Sequence, residues 1–330
     1  MPRRPAALHD FVGQPRVVAH LRELVAGARA RSEAVVSLLL VGRSGMGKSA
    51  LAAAIAREYA GPPGSDAPSS FKRIMGGTGI TTALVEVLAT LQHGDVLFID
   101  ETHSLDREGQ ELLYLALDEH KTFARTPKGA PDRTQLVSVA EFTLVAATTE
   151  PGKLGRALRS RLHQVHLDPY SGRELKVIAE KVALHLGLTL TPQAARHLAE
   201  RSQRTPRSVL KLVELMAITG GGAGTITQET VRSFMRKQGI DEQGLNPFQR
   251  SLLEALAVAQ RTMSLDVLSA KLGVDAAYIR TEVEPLLSDL HLIELGPRGR
   301  VITAAGLAVV NDMVPPADDV ASDAAEAEVP

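Results

Sequence analysis

The stretch Val35 to Ser49, VVSLLLVGRSGMGKS, constrains the fold of this chain more than any other. A mostly apolar run enters Gly42, passes Arg43-Ser44-Gly45-Met46 and leaves through Gly47-Lys48-Ser49, the spacing G-x-x-x-x-G-K-[ST] of a phosphate-binding loop. Val35 to Val41 reads as a parallel-sheet strand buried on both faces. From Ser49 onward Leu51, Ile55 and Tyr59 recur at a spacing of four, which predicts a helix starting where the loop ends. Glycine lets the loop wrap closely around phosphate oxygens, and successive N–H groups with the helix N-terminus form an anion nest. Gly42, Gly45, Gly47, Lys48, Ser49 and Ala50 are the expected nucleotide contacts. Lys48 reaches the β- and γ-phosphates, and the Ser49 hydroxyl takes a place on Mg²⁺.

A second feature belongs to the same chemistry. Asp95 to Glu101, DVLFIDE, is a short apolar run ending in two acids. Such a strand delivers carboxylates to the C-terminal edge of a parallel sheet, where the phosphate loop also sits. Asp100 is suited to hold Mg²⁺ through water, and Glu101 to polarise the water that attacks the γ-phosphate. Phe142 to Thr149, FTLVAATT, is another buried strand ending in hydroxyls that can bond that water or the γ-phosphate. The fold class these elements predict is α/β, a parallel-sheet P-loop NTPase domain.

The remaining chain divides by its punctuation. An amphipathic helix starts at Pro15, Thr82 to Leu91 is helical, and Gly61 to Ser70 is an exposed loop. Lys121 to Leu136 is polar and basic around Pro127-Lys128-Gly129 and reads as an exposed hairpin or loop. Ser171 to Glu174 is a capping box opening a helix that Gly187 ends. Further helices start at Pro192 and Pro206 and span Thr227 to Gln238, while Gly220 to Gly224 is a loop. From Asn246 come three helices, the third over Asp275 to Leu290. Two short strands follow around Gly296-Pro297-Arg298-Gly299, the order of a winged-helix module. Such a module binds DNA or docks on protein, and in the first case Arg298 and Arg300 sit at the wing tip against phosphates. The expected domains are 1–169 (ATPase), 170–243 (helical lid), 244–313 (winged helix) and 314–330 (disordered acidic tail).

Composition sets the limits. The net charge of −1 hides six acids among the last nineteen residues; without those six negative charges, residues 1–311 stand at about +5, mildly basic. There is no cysteine, which excludes disulfides and thiolate metal sites and fits a reducing cytoplasm. No apolar run approaches a membrane span and the N-terminus is not built as a secretion signal, so no membrane partner is expected.

LHDFVGQ, GRSGMGKS, DVLFIDETHSL, FTLVAATT, LRSRL, RTPRS and GPRGRVIT, in this order and spacing, resemble the RuvB family, bacterial Holliday-junction branch-migration motors of the AAA+ class. The resemblance covers about residues 4–311. It implies a homohexameric ring with ATP sites between subunits, acting on duplex or branched DNA. It places the arginine finger on Arg161 beside Arg159, the first sensor on Thr149 with Thr148 before it, and the second sensor on Arg207. The adenine pocket falls on Phe11, Val12 and Tyr170. The chain departs from the family in three places. Gly42-Arg43-Ser44-Gly45 stands where the family has Gly-Pro-Pro-Gly, and Glu150 where it has arginine. Phe123-Ala124-Arg125-Thr126-Pro127 replaces the apolar hairpin that grips the junction-binding partner RuvA, so a RuvA-type partner carries over poorly. Two other readings fit these parts: a related AAA+ ring remodelling a nucleoprotein complex with a different partner, and a nucleotide-switched DNA-binding module. Glu101 and Arg161 argue against the second, since a switch without turnover needs neither.

Overall fold

The computed structural model describes residues 7–61, 70–125, 134–219 and 224–311. Most of the 61–70 loop, the centre of the 121–136 segment, most of the glycine loop at 220–224 and the acidic tail lie outside these residues. The chain divides into two compact units, Met1–Ala199 with Arg204–Ile226, and Glu200–Gln203 with Thr227–Pro330. The lid expected over 170–243 is thus shared between them.

The first unit is built on five parallel strands, β1 Leu38–Val41, β2 Phe71–Met75, β3 Val96–Asp100, β6 Thr143–Thr148 and β7 His163–His166, in the order β2-β3-β6-β1-β7. A separate antiparallel pair, β4 Lys121–Arg125 with β5 Thr134–Ser138, forms the expected hairpin. The central strands are apolar on both faces because both faces are covered. Leu38 and Leu40 pack with Val96, Phe98, Val145 and Ala147 against α1 (Pro15–Arg31) and α2 (Lys48–Ala60). Leu39, on the opposite face, packs with Leu97, Ile99, Leu144 and Ala146 against α3 (Thr81–Leu88) and α4 (Arg107–Glu119). Each fully buried leucine, isoleucine, valine or phenylalanine among them contributes roughly 1.5–3 kcal/mol, and the alanines less. β1 is three residues shorter than expected, because pairing with β6 and β7 begins only at Leu38. β2 and β7 carry too little apolar signal to be read from sequence, since an edge strand such as His163-Gln164-Val165-His166 buries a single residue.

After the short helix α5 (Arg156–Arg159) and β7, the helices α6 (Gly172–His185), α7 (Pro192–Glu200) and α8 (Pro206–Ile218) follow. Ser171 and Glu174 form the reciprocal capping box that the sequence predicts. Two short parallel strands, β8 Leu188–Leu190 and β9 Gly224–Ile226, pair beside them.

In the second unit α9 (Gln228–Lys237) precedes α10 (Pro247–Ala259) and α11 (Leu265–Leu272). Glu242 gathers Arg232 at 3.2 Å, Arg201 at 3.6 Å and Arg236 at 3.7 Å, and Asp241 pairs with Arg250 at 3.0 Å. These ion pairs join α9 to the winged helix, a physical reason for their grouping. The third helix of the module is not continuous: α12 (Ala276–Tyr278) passes through a π turn at Ile279–Val283 into α13 (Glu284–Asp289). Pro285 lacks the N–H that a regular turn requires, and a wider turn accommodates it. β10 (Ile293–Gly296) and β11 (Gly299–Ile302) make the wing, and α14 (Ala304–Asn311) closes the unit. Gly299 has φ +136°, and a Cβ there would lie 2.1 Å from the Met263 carbonyl oxygen, so glycine is required where the wing folds back.

Candidate functional site

The phosphate loop takes its shape from two glycines in the left-handed region, Gly45 (φ +78°) and Gly47 (φ +91°), the second being the N-cap of α2. Lys48 is buried, and its ammonium donates to the carbonyls of Gly42 at 2.6 Å and Arg43 at 2.9 Å. Burial holds that ammonium below the ordinary lysine range; Glu101 and Asp100 pull it back up, and Arg207 pushes it down. One amino group therefore stands in the field of both acids at the end of β3 and of Arg207.

The neighbours of the loop are those expected at the nucleotide. Arg207, second residue of α8 behind the N-cap Thr205, donates from Nη1 to the Ser44 hydroxyl at 2.8 Å and from its backbone to the Gly45 carbonyl at 3.3 Å. Ser44 belongs to the dipeptide that departs from the family's proline pair, and here it supplies an acceptor no proline has. On the other side Phe11 and Tyr170 approach Gly47 so closely that a Cβ there would lie 3.3 Å from the phenyl ring and 3.6 Å from the phenol oxygen. The Tyr170 hydroxyl donates to the Met46 carbonyl at 3.3 Å. Burial, with Glu174 beside it, pushes the Tyr170 phenol up, so it stays a neutral donor. The N-terminal arm carrying Phe11 and Val12 is fixed by Gln14, which exchanges two hydrogen bonds with the Asp168 backbone at 2.6 and 2.9 Å. Gly13, at φ +84°, has no room for a side chain, since its Cβ would lie 2.5 Å from the Tyr170 ring.

The sheet order sets the acids. β6 lies between the loop strand β1 and the acid strand β3, so its end falls between phosphate loop and carboxylates. Asp100 ends β3 and accepts from Arg73 of β2 at 2.9 Å. Glu101 leaves the strand in the left-handed region at φ +50°, an outlying conformation of the kind stored at functional sites. Thr148 is buried and hydrogen-bonds the His103 ring at 3.0 Å, whereas Thr149, just past the strand, is exposed. Among the described residues no three His, Cys, Asp or Glu side chains gather into a metal cage. That suits Mg²⁺, which takes one or two protein oxygens and fills its octahedron with phosphate oxygens and water. Ser49 and Asp100 are oxygen donors of the right kind.

Arg161 is not brought to the loop of its own chain. Its Nε donates to both Asp118 oxygens at 2.7 and 2.8 Å, its Nη2 also donates to Asp118, and its Nη1 donates to the Ala157 carbonyl at 2.7 Å. Its guanidinium lies 5.4 Å from the centre of the Tyr114 ring. Asp118 is held below the usual carboxylate range by those bonds. Nothing in the spacing of the sequence points to Asp118, to Arg73 or to Gly13. Each acts through an interaction between distant segments.

The wing requires a correction. Arg298 is exposed at the turn, as expected. Arg300 is not at the tip facing outward: its Nε and Nη2 grip the two oxygens of Glu284 on α13, the second at 3.1 Å. Arg300 is 16% exposed and Glu284 only 3%, so this pair is a structural tie and not a phosphate contact. The alternation of β11 turns position 300 inward, where the two-residue spacing from Arg298 suggests a shared outward face.

A glycine-shaped phosphate loop on a five-stranded parallel sheet, an acid pair two strands away, an arginine from a following helix bonded to the loop and a C-terminal winged helix define a P-loop ATPase of the AAA+ class. Residues 3–167 match the family model of the Holliday junction DNA helicase RuvB P-loop domain, and residues 242–311 that of the RuvB C-terminal winged helix domain. The chain belongs to the RuvB family. It is 35% identical over 324 residues to the Holliday junction branch migration complex subunit RuvB of Rhodococcus opacus, spanning 96% of this chain and 86% of that one. The same subunit of Ehrlichia ruminantium is 33% identical, over 94% of this chain and 92% of that one. Among solved structures, the RuvB Holliday junction branch migration motor of Thermotoga maritima superposes with a TM-score of 0.79 at 30% identity, over 94% and 99% of the two chains. No helix among the described residues is long and apolar enough to cross a membrane.

Proposed function

We propose that this ATPase is a motor that drives duplex DNA through a homohexameric ring during branch migration of Holliday junctions, hydrolysing MgATP bound between subunits in the cytoplasm. The observation that carries the reading is the convergence, within one chain, of Lys48, Arg207, Phe11 and Tyr170 on the loop from Gly42 to Ala50. Lys48 neutralises phosphate charge, and Ser49 and Asp100 hold Mg²⁺, which shields the phosphate oxygens when bound. Glu101 orients and polarises the attacking water. The Thr148 hydroxyl is engaged inside the protein, which leaves Thr149 as the sensor that reads the γ-phosphate. Arg207 carries that reading into the lid helix α8. Arg161, engaged at α4 in its own chain, is the cation offered to the site of the next subunit. In the wing, Arg298 contacts DNA phosphate.

A RuvA-type protein is the proposed partner, although the hairpin departs from the family's apolar sequence, because one apolar pair is still presented there. Phe123 and Leu136 face each other across the β4–β5 hairpin and are 39% and 56% exposed, an apolar pair able to anchor a docking protein.

ATP turnover with and without branched DNA, measured for the parent and for Glu101→Gln, tests the proposal. The substitution is expected to lower hydrolysis at least ~10²-fold while nucleotide affinity stays unchanged. Imaging with a non-hydrolysable ATP analogue and branched DNA should show six-membered rings around duplex arms. Turnover persisting in Glu101→Gln, or protein that stays monomeric on DNA, refutes the motor reading.

A further inference from the structure

Behind the hydrolytic carboxylate the structure holds one side chain that the mechanism above does not use. His103 lies in the 3-10 turn Thr102–Ser104, directly after Glu101, and its side chain is 13% exposed. Its Nδ1 stands 3.0 Å from the Thr148 hydroxyl and 3.3 Å from Glu101 Oε2. Its Nε2, on the far edge of the ring, stands 3.3 Å from Glu150 Oε2. The imidazole thus bridges the acid strand β3 to the end of the sensor strand β6. Glu150 occupies the position where the family resemblance calls for arginine. An arginine there offers only donors and places a cation against the ring; a carboxylate accepts from Nε2–H, and with the second proton on Nδ1 the same ring donates to Glu101 from its other edge.

We propose that His103 is the positioning residue of Glu101, held in orientation by Glu150, and that it couples the carboxylate to the strand that senses the γ-phosphate. The proposal rests on reading Glu101 as the group that orients water. The physical need is plain. Glu101 sits in a left-handed backbone conformation just past a strand end, its side chain is about a third exposed, and a carboxylate in that setting has several rotamers available. Only a subset places an oxygen on the attacking water, and a catalytic group displaced by an ångström loses up to ~10²-fold in rate. A hydrogen-bonded ring clamped on its other edge removes that freedom. Thr148 joins the same clamp, because its hydroxyl also accepts the Glu150 backbone N–H at 2.9 Å. A shift of β6 on nucleotide binding therefore moves the ring, and with it the carboxylate.

The turn does not need the ring to hold its shape. The Thr102 hydroxyl donates to the Ile99 carbonyl at 2.8 Å and accepts from the Ala147 N–H at 3.2 Å, which ties the turn to β6 independently. His103→Ala is accordingly expected to leave the thermal midpoint and the affinity for a fluorescent ATP analogue unchanged while kcat falls about 10- to 100-fold. His103→Asn, whose amide replaces Nδ1 alone, should recover part of that loss. Glu150→Arg, a change on the exposed side of the clamp, should lower kcat in the same direction with affinity intact. These are read on the full-length protein with branched DNA, beside Glu101→Gln. If Glu101→Gln abolishes turnover but His103→Ala and Glu150→Arg keep the parent kcat, the positioning role is wrong and the proposed function stands. If the His103 and Glu150 variants lose affinity and thermal stability together with kcat, the ring is structural and the inference falls. Should Glu101→Gln itself turn over ATP normally, the underlying reading is what fails.

Discussion

Replacing Arg300 by alanine separates a wing arginine that touches DNA from one that holds the wing together. The substitution removes the guanidinium that grips Glu284, a carboxylate 3% exposed, and leaves that charge buried without its cation. Breaking a buried pair from one side costs about 3–5 kcal/mol, because the remaining ion keeps its desolvation penalty and loses its attraction. A domain has roughly 5–15 kcal/mol of stability in all, so much of the module's reserve is consumed. At ~4–8 °C per kcal/mol for a unit of about a hundred residues, the winged-helix transition should drop by on the order of 15 °C or more. Differential scanning calorimetry on the full chain, with the ATPase unit held by MgATP analogue, reads that transition directly. The double change Arg300→Met with Glu284→Leu should recover most of the loss, since a buried pair replaced by apolar side chains is often neutral. An Arg300→Ala protein with an unmoved transition and weakened DNA binding refutes the structural assignment and restores Arg300 as a phosphate contact.

Arg298→Ala is expected to do the opposite: no change in the thermal transition beyond ~0.5 kcal/mol, and a slope of log affinity against log salt that is shallower by about 0.9 for each phosphate the arginine had neutralised. Filter binding or fluorescence anisotropy across a salt series measures it. Lys48→Ala should abolish ATP binding, because the anion nest then lacks its buried ammonium; nucleotide affinity preserved in that variant removes the basis for a motor. Gly13→Ala places a Cβ 2.5 Å from the Tyr170 ring at a φ of +84°. The strain of about 1–3 kcal/mol should lower both the ATPase-unit transition and nucleotide affinity, the latter read by titration with a fluorescent analogue.

What sequence reveals in this chain is local. The phosphate loop, the acid pair after β3 and the caps at Ser171 and Asn246 are legible because each is a property of a few consecutive residues, set by backbone geometry and hydrogen-bond chemistry. The hairpin wing is legible through Gly296 and Gly299. Strand order is not: no residue of FTLVAATT says that it lies between β1 and β3, although that placement brings Thr148 to His103. Phe71 to Met75 goes unseen because its edge position leaves Lys72 and Arg73 partly in water, so the apolar signal is weak. Arg300 misleads for a related reason. Spacing gives the face of a strand only when the pairing register is known, and Arg300 is set by pairing with Leu295 of β10 and by a bridge to Met263, thirty-seven residues away.

Asp118 bears on how Arg161 is held for the role proposed for it at the site of a neighbouring subunit. Its carboxylate takes Nε–H and one Nη2–H of Arg161, and the Ala157 carbonyl takes an Nη1–H. Of five N–H donors in the guanidinium fork, two remain to meet phosphate oxygens. The pair could act as a brake, by cancelling the charge of Arg161, or as a support, by aiming it. Exposure decides between them. The two side chains are 34% and 42% open to solvent, so Coulomb neutralisation is heavily screened, while the bidentate bonds still fix the fork's direction. Support wins on that balance. Asp118→Ala should therefore reduce ring-stimulated kcat about tenfold through poorer orientation. Arg161→Ala should remove the ~10³-fold or greater contribution of an arginine finger altogether. Nucleotide affinity measured on unassembled protein should be the same in both variants. An Asp118→Ala protein that hydrolyses ATP faster than its parent in the absence of DNA makes the pairing a restraint on Arg161, and the argument from screening is then wrong.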